Sequence, residues 1–123
     1  MKVVNLTPHD VHLHQNGEIV TIPASGITVR VGTTIEREGS FKTDFGALPI
    51  SVTVFDDEIL FLRGSERISA AEAGVTSDCA VIVSRLAGSA LVQKFPNVNV
   101  LIPNEIIRDE NGRIVGCESF DLL

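Results

Sequence analysis

The stretch from Cys79 to Gly116 constrains the fold more than any other part of this chain. A continuously apolar run, Ala80 to Val83, stops at Ser84 and gives way to a helical pattern over residues 85–95. That pattern ends at Phe95-Pro96-Asn97, and a second apolar run, Val98 to Ile102, follows at once. A run without polar alternation is the mark of a strand covered on both faces. If the two strands share a sheet, the connection through the helix is a right-handed crossover and the strands are parallel. Within the helix, Leu86, Ala87, Ala90, Leu91 and Lys94 form one stripe, and Gly88 weakens it by about 1 kcal/mol relative to alanine. The stretch closes on a hairpin signal, Glu110-Asn111-Gly112-Arg113, which predicts paired strands over residues 106–120.

The first half alternates with period two. Val11-His12-Leu13-His14-Gln15, the turn pair Asn16-Gly17 and Glu18-Ile19-Val20-Thr21-Ile22 read as a hairpin, because Asn-Gly accepts the positive φ angles of a type I′ turn. Ile27 to Val31 alternates again as a strand. Thr33 to Gly46 carries Glu36-Arg37-Glu38 and Gly39-Ser40 and reads as a strand end followed by a flexible loop. Leu48 to Phe55 is a β-branched strand, Asp56-Asp57 a turn, and Glu58 to Arg63 a returning strand. Ser69 and Glu72 have the spacing of a capping box, with Gly74 to stop a short second helix. The expected fold is α+β: a single domain over residues 1–123, β-rich, mostly antiparallel hairpins, with one main helix.

Composition narrows the function classes. The 123 residues carry a net charge of −6, which gives no electrostatic footprint for duplex nucleic acid or an anionic membrane. Five of the seven arginines (Arg63, Arg67, Arg85, Arg108, Arg113) fall in the second half, so a local cationic pocket in an acidic protein is compatible with the sequence. There are six Phe, no Trp and no Tyr, so ring stacking on a ligand would fall to Phe, His or an Arg plane. Cys79 and Cys117 lack paired-motif spacing and read as reduced thiols of a cytoplasmic protein. The N-terminus has no signal-peptide apolar region, and no apolar run approaches the roughly 20 residues of a membrane helix.

Two constellations could carry chemistry. At the strand-to-helix corner, Ser84 is placed to cap the helix, whose free N–H groups attract negative charge. Arg85 and Arg108 could add bidentate contacts to phosphate or carboxylate, and Asn97 and Asn99 could meet a base or ribose edge. The same residues also suit plainer roles: a cap, a solvated arginine, ion pairs of Arg108 with Asp109 or Glu105, and turn asparagines. The second constellation is His12 and His14, on one side of a strand, with Glu18 beyond the turn. Its spacing matches the first metal motif of cupins, although no later histidine supplies a second, and two histidines with a carboxylate make a facial triad. The alternative is a solvated hairpin face. No nucleophile elbow, P-loop or dinucleotide fingerprint is present.

Asn5-Leu6-Thr7-Pro8-His9, Ile22-Pro23-Ala24-Ser25-Gly26 with Arg30 after it, Ile82-Val83-Ser84-Arg85, and Arg108 through Gly116 together resemble a group of small bacteriophage and prophage proteins. In size and layout the chain is similar to the type-one anti-Thoeris sponges. That resemblance implies a non-catalytic protein without cofactor, acting in the cytoplasm of an infected bacterial host. It would sequester a cyclic nucleotide signal, such as a cyclic ADP-ribose isomer or a cyclic oligonucleotide. Its pockets would lie between subunits of a homo-oligomer, a dimer or hexamer, and use arginines, an asparagine and an aromatic. Arg108 is the best matching position, with Arg63, Asn97, Asn99 and Phe95 plausible by type. The alternatives left open are a phage structural or accessory protein without a small ligand, and a metal-dependent enzyme using His12, His14 and Glu18.

Overall fold

Alternating and continuous apolar runs become nine strands around one helix in the computed structural model, which describes residues 1–54 and 58–123. In chain order they are β1 (Lys2–Asn5), β2 (Val11–Gln15), β3 (Glu18–Ile22), β4 (Ile27–Thr43), β5 (Gly46–Arg63), β6 (Glu66–Ile68), β7 (Cys79–Ile82), α1 (Arg85–Lys94), β8 (Asn99–Arg108) and β9 (Ile114–Leu122). Among the described residues the chain is β-rich with a single helix, and most strand pairs are antiparallel. None of its described helices is long and apolar enough to cross a membrane.

Six strands form one sheet in the order β1-β7-β8-β9-β2-β3. As expected from the crossover, β7 and β8 are parallel, with Val81 opposite Val100. β1 joins the other side of β7 in parallel, Val4 opposite Val81. Central β7 is therefore buried along its length, which is why its sequence shows no alternation. Val81, Val83, Leu91 and Val100 sit at the heart of the core.

The sheet curls until its two edges meet. β1 and β3 are the edge strands, and a parallel bridge between Asn5 and Ala24 links the end of one to the chain beyond the other. Asn5, only 1% exposed, is the clasp. Its Nδ2 donates to the carbonyls of His9 (2.9 Å) and Ile22 (3.1 Å), and its Oδ1 accepts from the Thr7 N–H (3.0 Å) and hydroxyl (2.6 Å). Ser25 adds donations from N–H and hydroxyl to the Asn5 carbonyl at 3.0 and 2.7 Å. Two of the sequence motifs, Asn5 to His9 and Ile22 to Gly26, thus have a structural role, since together they close the sheet.

Several elements depart from the sequence expectations. The run from Thr33 to Gly46 is not a loop. β4 continues to Thr43 and pairs with β5 down to a tight turn at Asp44-Phe45, giving a long two-stranded ribbon. The turn expected at Asp56-Asp57 lies outside the described residues. β6 pairs Ile68 with Phe61, a strand between Arg63 and the capping box that the sequence expectations do not include. The short second helix reduces to one turn: the Ser69–Glu72 capping box forms, and Ala73 N–H bonds to Ser69 O at 3.1 Å, but Gly74 at φ +84° stops it at once. In α1 the buried positions are Ala87, Gly88, Ala90 and Leu91, while Leu86 is exposed. Gly88 is there for closeness, since a Cβ on it would stand 2.9 Å from Ile102 Cδ1.

A candidate anion-binding corner

β1 and β7 run side by side and end together: Asn5 is opposite Ile82, and the Leu6 N–H donates to the Ile82 carbonyl at 2.9 Å. Beyond that point the chains diverge, one into Thr7-Pro8 and the other into Ser84 and α1. A crevice outside the carboxyl ends of adjacent parallel strands is where such sheets hold ligands. Here it is a cavity of about 230 Å³ whose lining includes Thr7, Pro8, Arg30 and Ser84. A second cavity, about 530 Å³, shares Arg30 and Ser84 and extends along Gly32, Glu58 and Leu60 to Leu86.

The corner's polarity follows from the helix start. Ser84 is the N-cap, with extended backbone (φ −69°, ψ 160°). Its hydroxyl accepts from the Ala87 N–H at 3.4 Å and its carbonyl from the Gly88 N–H at 2.8 Å. The N–H groups of Arg85 and Leu86 precede the first intrahelical bond, on two exposed residues at the positive end of the helix dipole. Arg30 brings a full positive charge to the same crevice and pairs with no acid among the described residues. The one described carboxylate in the lining, Glu58, is paired with Arg67. Donors and unopposed positive charge at the mouth of a cavity suit a phosphate or carboxylate.

The other residues expected at this site are dispersed within one chain. Arg85 lies at the corner, but its Nη2 donates to Asp121 Oδ2 at 2.6 Å, and Asp121 also accepts from Asn104 at 2.8 Å. Phe95, Asn97 and Asn99 lie at the far end of the ten-residue helix, roughly 15 Å away. Phe95 packs edge-on against Phe61 with centroids 6.3 Å apart, so its ring belongs to the core margin. Asn97 is exposed in the turn after α1, and Asn99 reaches Met1 Sδ at 3.7 Å. Arg108 ends β8, about 20 Å along the strand from Ile102, and donates to the Gly112 carbonyl at 2.9 Å across its own turn. Arg63 lines an open cleft of about 710 Å³ with Lys2 and Asp78, at the amino ends of β1 and β7.

The residues that complete the corner, Arg30 and Thr7, are distant in sequence from Ser84. Their only signal was membership of the Asn-Leu-Thr-Pro-His and Arg30 motifs.

The histidine constellation does not assemble. β2 and β3 pair His12 with Thr21, His14 with Ile19, and Gln15 with Glu18. Directly paired residues share a face, and faces alternate along a strand. Glu18 therefore points to the side opposite His12 and His14. His12 Nδ1 lies 3.0 Å from Thr21 Oγ1, and the His14 ring covers Gly116. Among the described residues no group of three His, Cys, Asp or Glu side chains is arranged to hold a metal ion. Cys79 and Cys117 are both free and buried.

Compared with known proteins, the chain matches no family model, no curated protein and no solved structure.

Proposed function

We propose that this chain is a non-catalytic phage protein that binds and sequesters a cyclic nucleotide-type immune signal, a cyclic ADP-ribose isomer or a cyclic oligonucleotide. By holding that signal in the cytoplasm of the infected bacterium, it blocks the host's anti-phage defence. The observation that carries the reading is the crevice at the carboxyl ends of β1 and β7. Arg30 and Ser84, the N-cap of α1, together line cavities there large enough for phosphate and ribose groups. Arg108 and Arg63, remote from that corner in one chain, contribute across an inter-subunit pocket of a homo-oligomer, as the resemblance implies.

The test is a retention experiment. Protein incubated with a cyclic ADP-ribose isomer is freed of unbound ligand, heat-denatured, and its supernatant chromatographed. Intact ligand is expected from the wild type, and at least tenfold less from Arg30→Ala. A hydrolysis product, or no retained ligand, would overturn the reading. A second reading, an assembly protein without a small ligand, draws its support from the exposed β4–β5 ribbon, and an absence of retention across cyclic nucleotides would favour it.

A further inference from the structure

Beyond its first residues the β4–β5 ribbon leaves the body of the protein and stands uncovered. From Thr33 to Val54 its described residues are exposed, with only Ile50 and Val52 half-buried. Yet it is not polar on both sides. The pairs Phe41–Leu48, Gly39–Ile50, Glu36–Val52 and Thr34–Val54 share one face. That face carries Phe41, Leu48, Ile50, Val52 and Val54 together with the charge of Glu36, and Glu38 sits in the bulge beside it. Among the described residues the opposite face carries Arg37, Lys42, Ser40, Ser51 and Thr53, with Ile35 as its one large apolar residue. Phe41 is 67% exposed, and Phe45 at the tip 92%. The tip is held in shape by Thr43, whose hydroxyl donates to the Gly46 carbonyl at 3.0 Å and accepts from the Phe45 N–H at 3.1 Å.

A two-stranded ribbon is marginal in water unless its apolar face is packed. We infer that this face docks against the same face of a second copy of the chain, the two ribbons lying antiparallel about a two-fold axis. Three observations select that occupant. Of the face's paired positions only Glu36 is charged, so an antiparallel arrangement of two identical copies brings together no row of like charges, and a strongly charged partner finds little to pair with. Phe41, Leu48 and Val54 of that face, with Phe45 at the tip, expose roughly 450 Å² per copy, so two copies bury at most on the order of 900 Å², the size of a weak, concentration-dependent association. The edges are poor alternatives. Pro49 interrupts β5 with no N–H to give an added strand, and β4 bulges between Arg37 and Gly39. Face packing rather than edge pairing is what remains.

The inference deepens the homo-oligomer of the ligand reading by assigning the face through which copies meet, and because its readout is mass it can fail while ligand retention holds. Wild-type protein at about 50 µM, measured by light scattering after size exclusion and by native mass spectrometry, is expected to run as an even multiple of the 13.2 kDa chain. Leu48→Asp is expected to halve that mass with an unchanged far-UV spectrum, and Thr53→Asp, on the opposite face, to leave it intact. Phe41→Ser reads the same face should Leu48→Asp fail to fold. A monomeric wild type, an unchanged mass in both apolar-face variants, or equal disruption by Thr53→Asp would overturn it.

Discussion

The Asn5 carboxamide donates to the backbone carbonyl of Ile22 at 3.1 Å, tying the last residue of one edge strand to the last residue of the other. Four hydrogen bonds meet on this one side chain, which is almost fully buried. Removing a buried partner costs its bonds and leaves the other groups unsatisfied. Asn5→Ala is expected to lower the unfolding free energy by about 2–4 kcal/mol, read as a lower urea midpoint at similar slope. Asn5→Asp keeps the two accepted bonds but cannot donate to the carbonyls of His9 and Ile22, so it is expected to be no better. A wild-type midpoint in both variants would show that the clasp is not what closes the sheet.

Gly116 on β9 marks a second close approach. A Cβ there would stand 2.6 Å from the His12 carbonyl and 2.6 Å from the His14 ring. The ring could rotate away, but the carbonyl belongs to β2 and moves only with the strand. Gly116→Ala is therefore expected to destabilise by about 1–3 kcal/mol. Gly116→Ala in a His14→Ala background relieves only the ring clash, so most of the loss is expected to persist. Full recovery of thermal stability in the double variant would place the strain in the ring alone.

How much of this was legible beforehand depends on the range of the interaction that decides each feature. The Asn16-Gly17 hairpin and the β7-α1-β8 crossover are set by neighbours in sequence, and both form as read; Asn16 and Gly17 take φ angles of 54° and 79°. The ribbon was missed because Glu36-Arg37-Glu38-Gly39-Ser40 carries loop composition. Its strand character comes from pairing with a partner whose apolar side chains all lie at even positions, Leu48 to Val54. Glu18 looked like a third ligand because spacing along the chain does not reveal the parity that cross-strand pairing imposes. Ser84 was visible as a cap, whereas Arg30 reaches the same crevice only through tertiary packing.

Cys117 gives a pH dependence. Burial pushes its thiol above the ordinary value of 9.0, and a backbone hydrogen bond at Ser119 offsets part of that. A raised folded-state value means the native protein holds the proton after the unfolded chain has lost it. The associated stability is whole below the ordinary thiol range and is lost as pH rises through the folded-state value. Unfolding free energy is expected to decline above about pH 9, by at most ~1.4 kcal/mol per pH unit. Cys117→Ala is expected to flatten that decline while lowering stability at pH 7 through the small cavity it leaves. An identical slope in both proteins, measured by urea titration from pH 7 to 10, would assign the alkaline loss elsewhere.

The ion pair at the corner makes the most specific prediction about binding. Arg85 and Asp121 meet at 2.6 Å, but both side chains are well exposed, so their attraction is screened by solvent and contributes about 0–1 kcal/mol to stability. Its larger effect is on charge at the α1 N-terminus, where Asp121 neutralises one of two nearby arginines. Asp121→Asn removes that carboxylate while preserving an oxygen able to accept from Arg85. The melting temperature is expected to move by no more than a few degrees. Affinity for an anionic probe such as pyrophosphate, read by calorimetry, is expected to rise severalfold and to fall again as salt is added. Ser84→Ala is expected to cost about 1 kcal/mol of stability as a lost cap. It leaves the Arg85 and Leu86 N–H groups in place, so it should weaken the probe far less than Arg30→Ala. Equal losses of affinity in the two variants would mean that the hydroxyl itself contacts the anion. An affinity unmoved by both Arg30→Ala and Asp121→Asn would place the anion away from this corner.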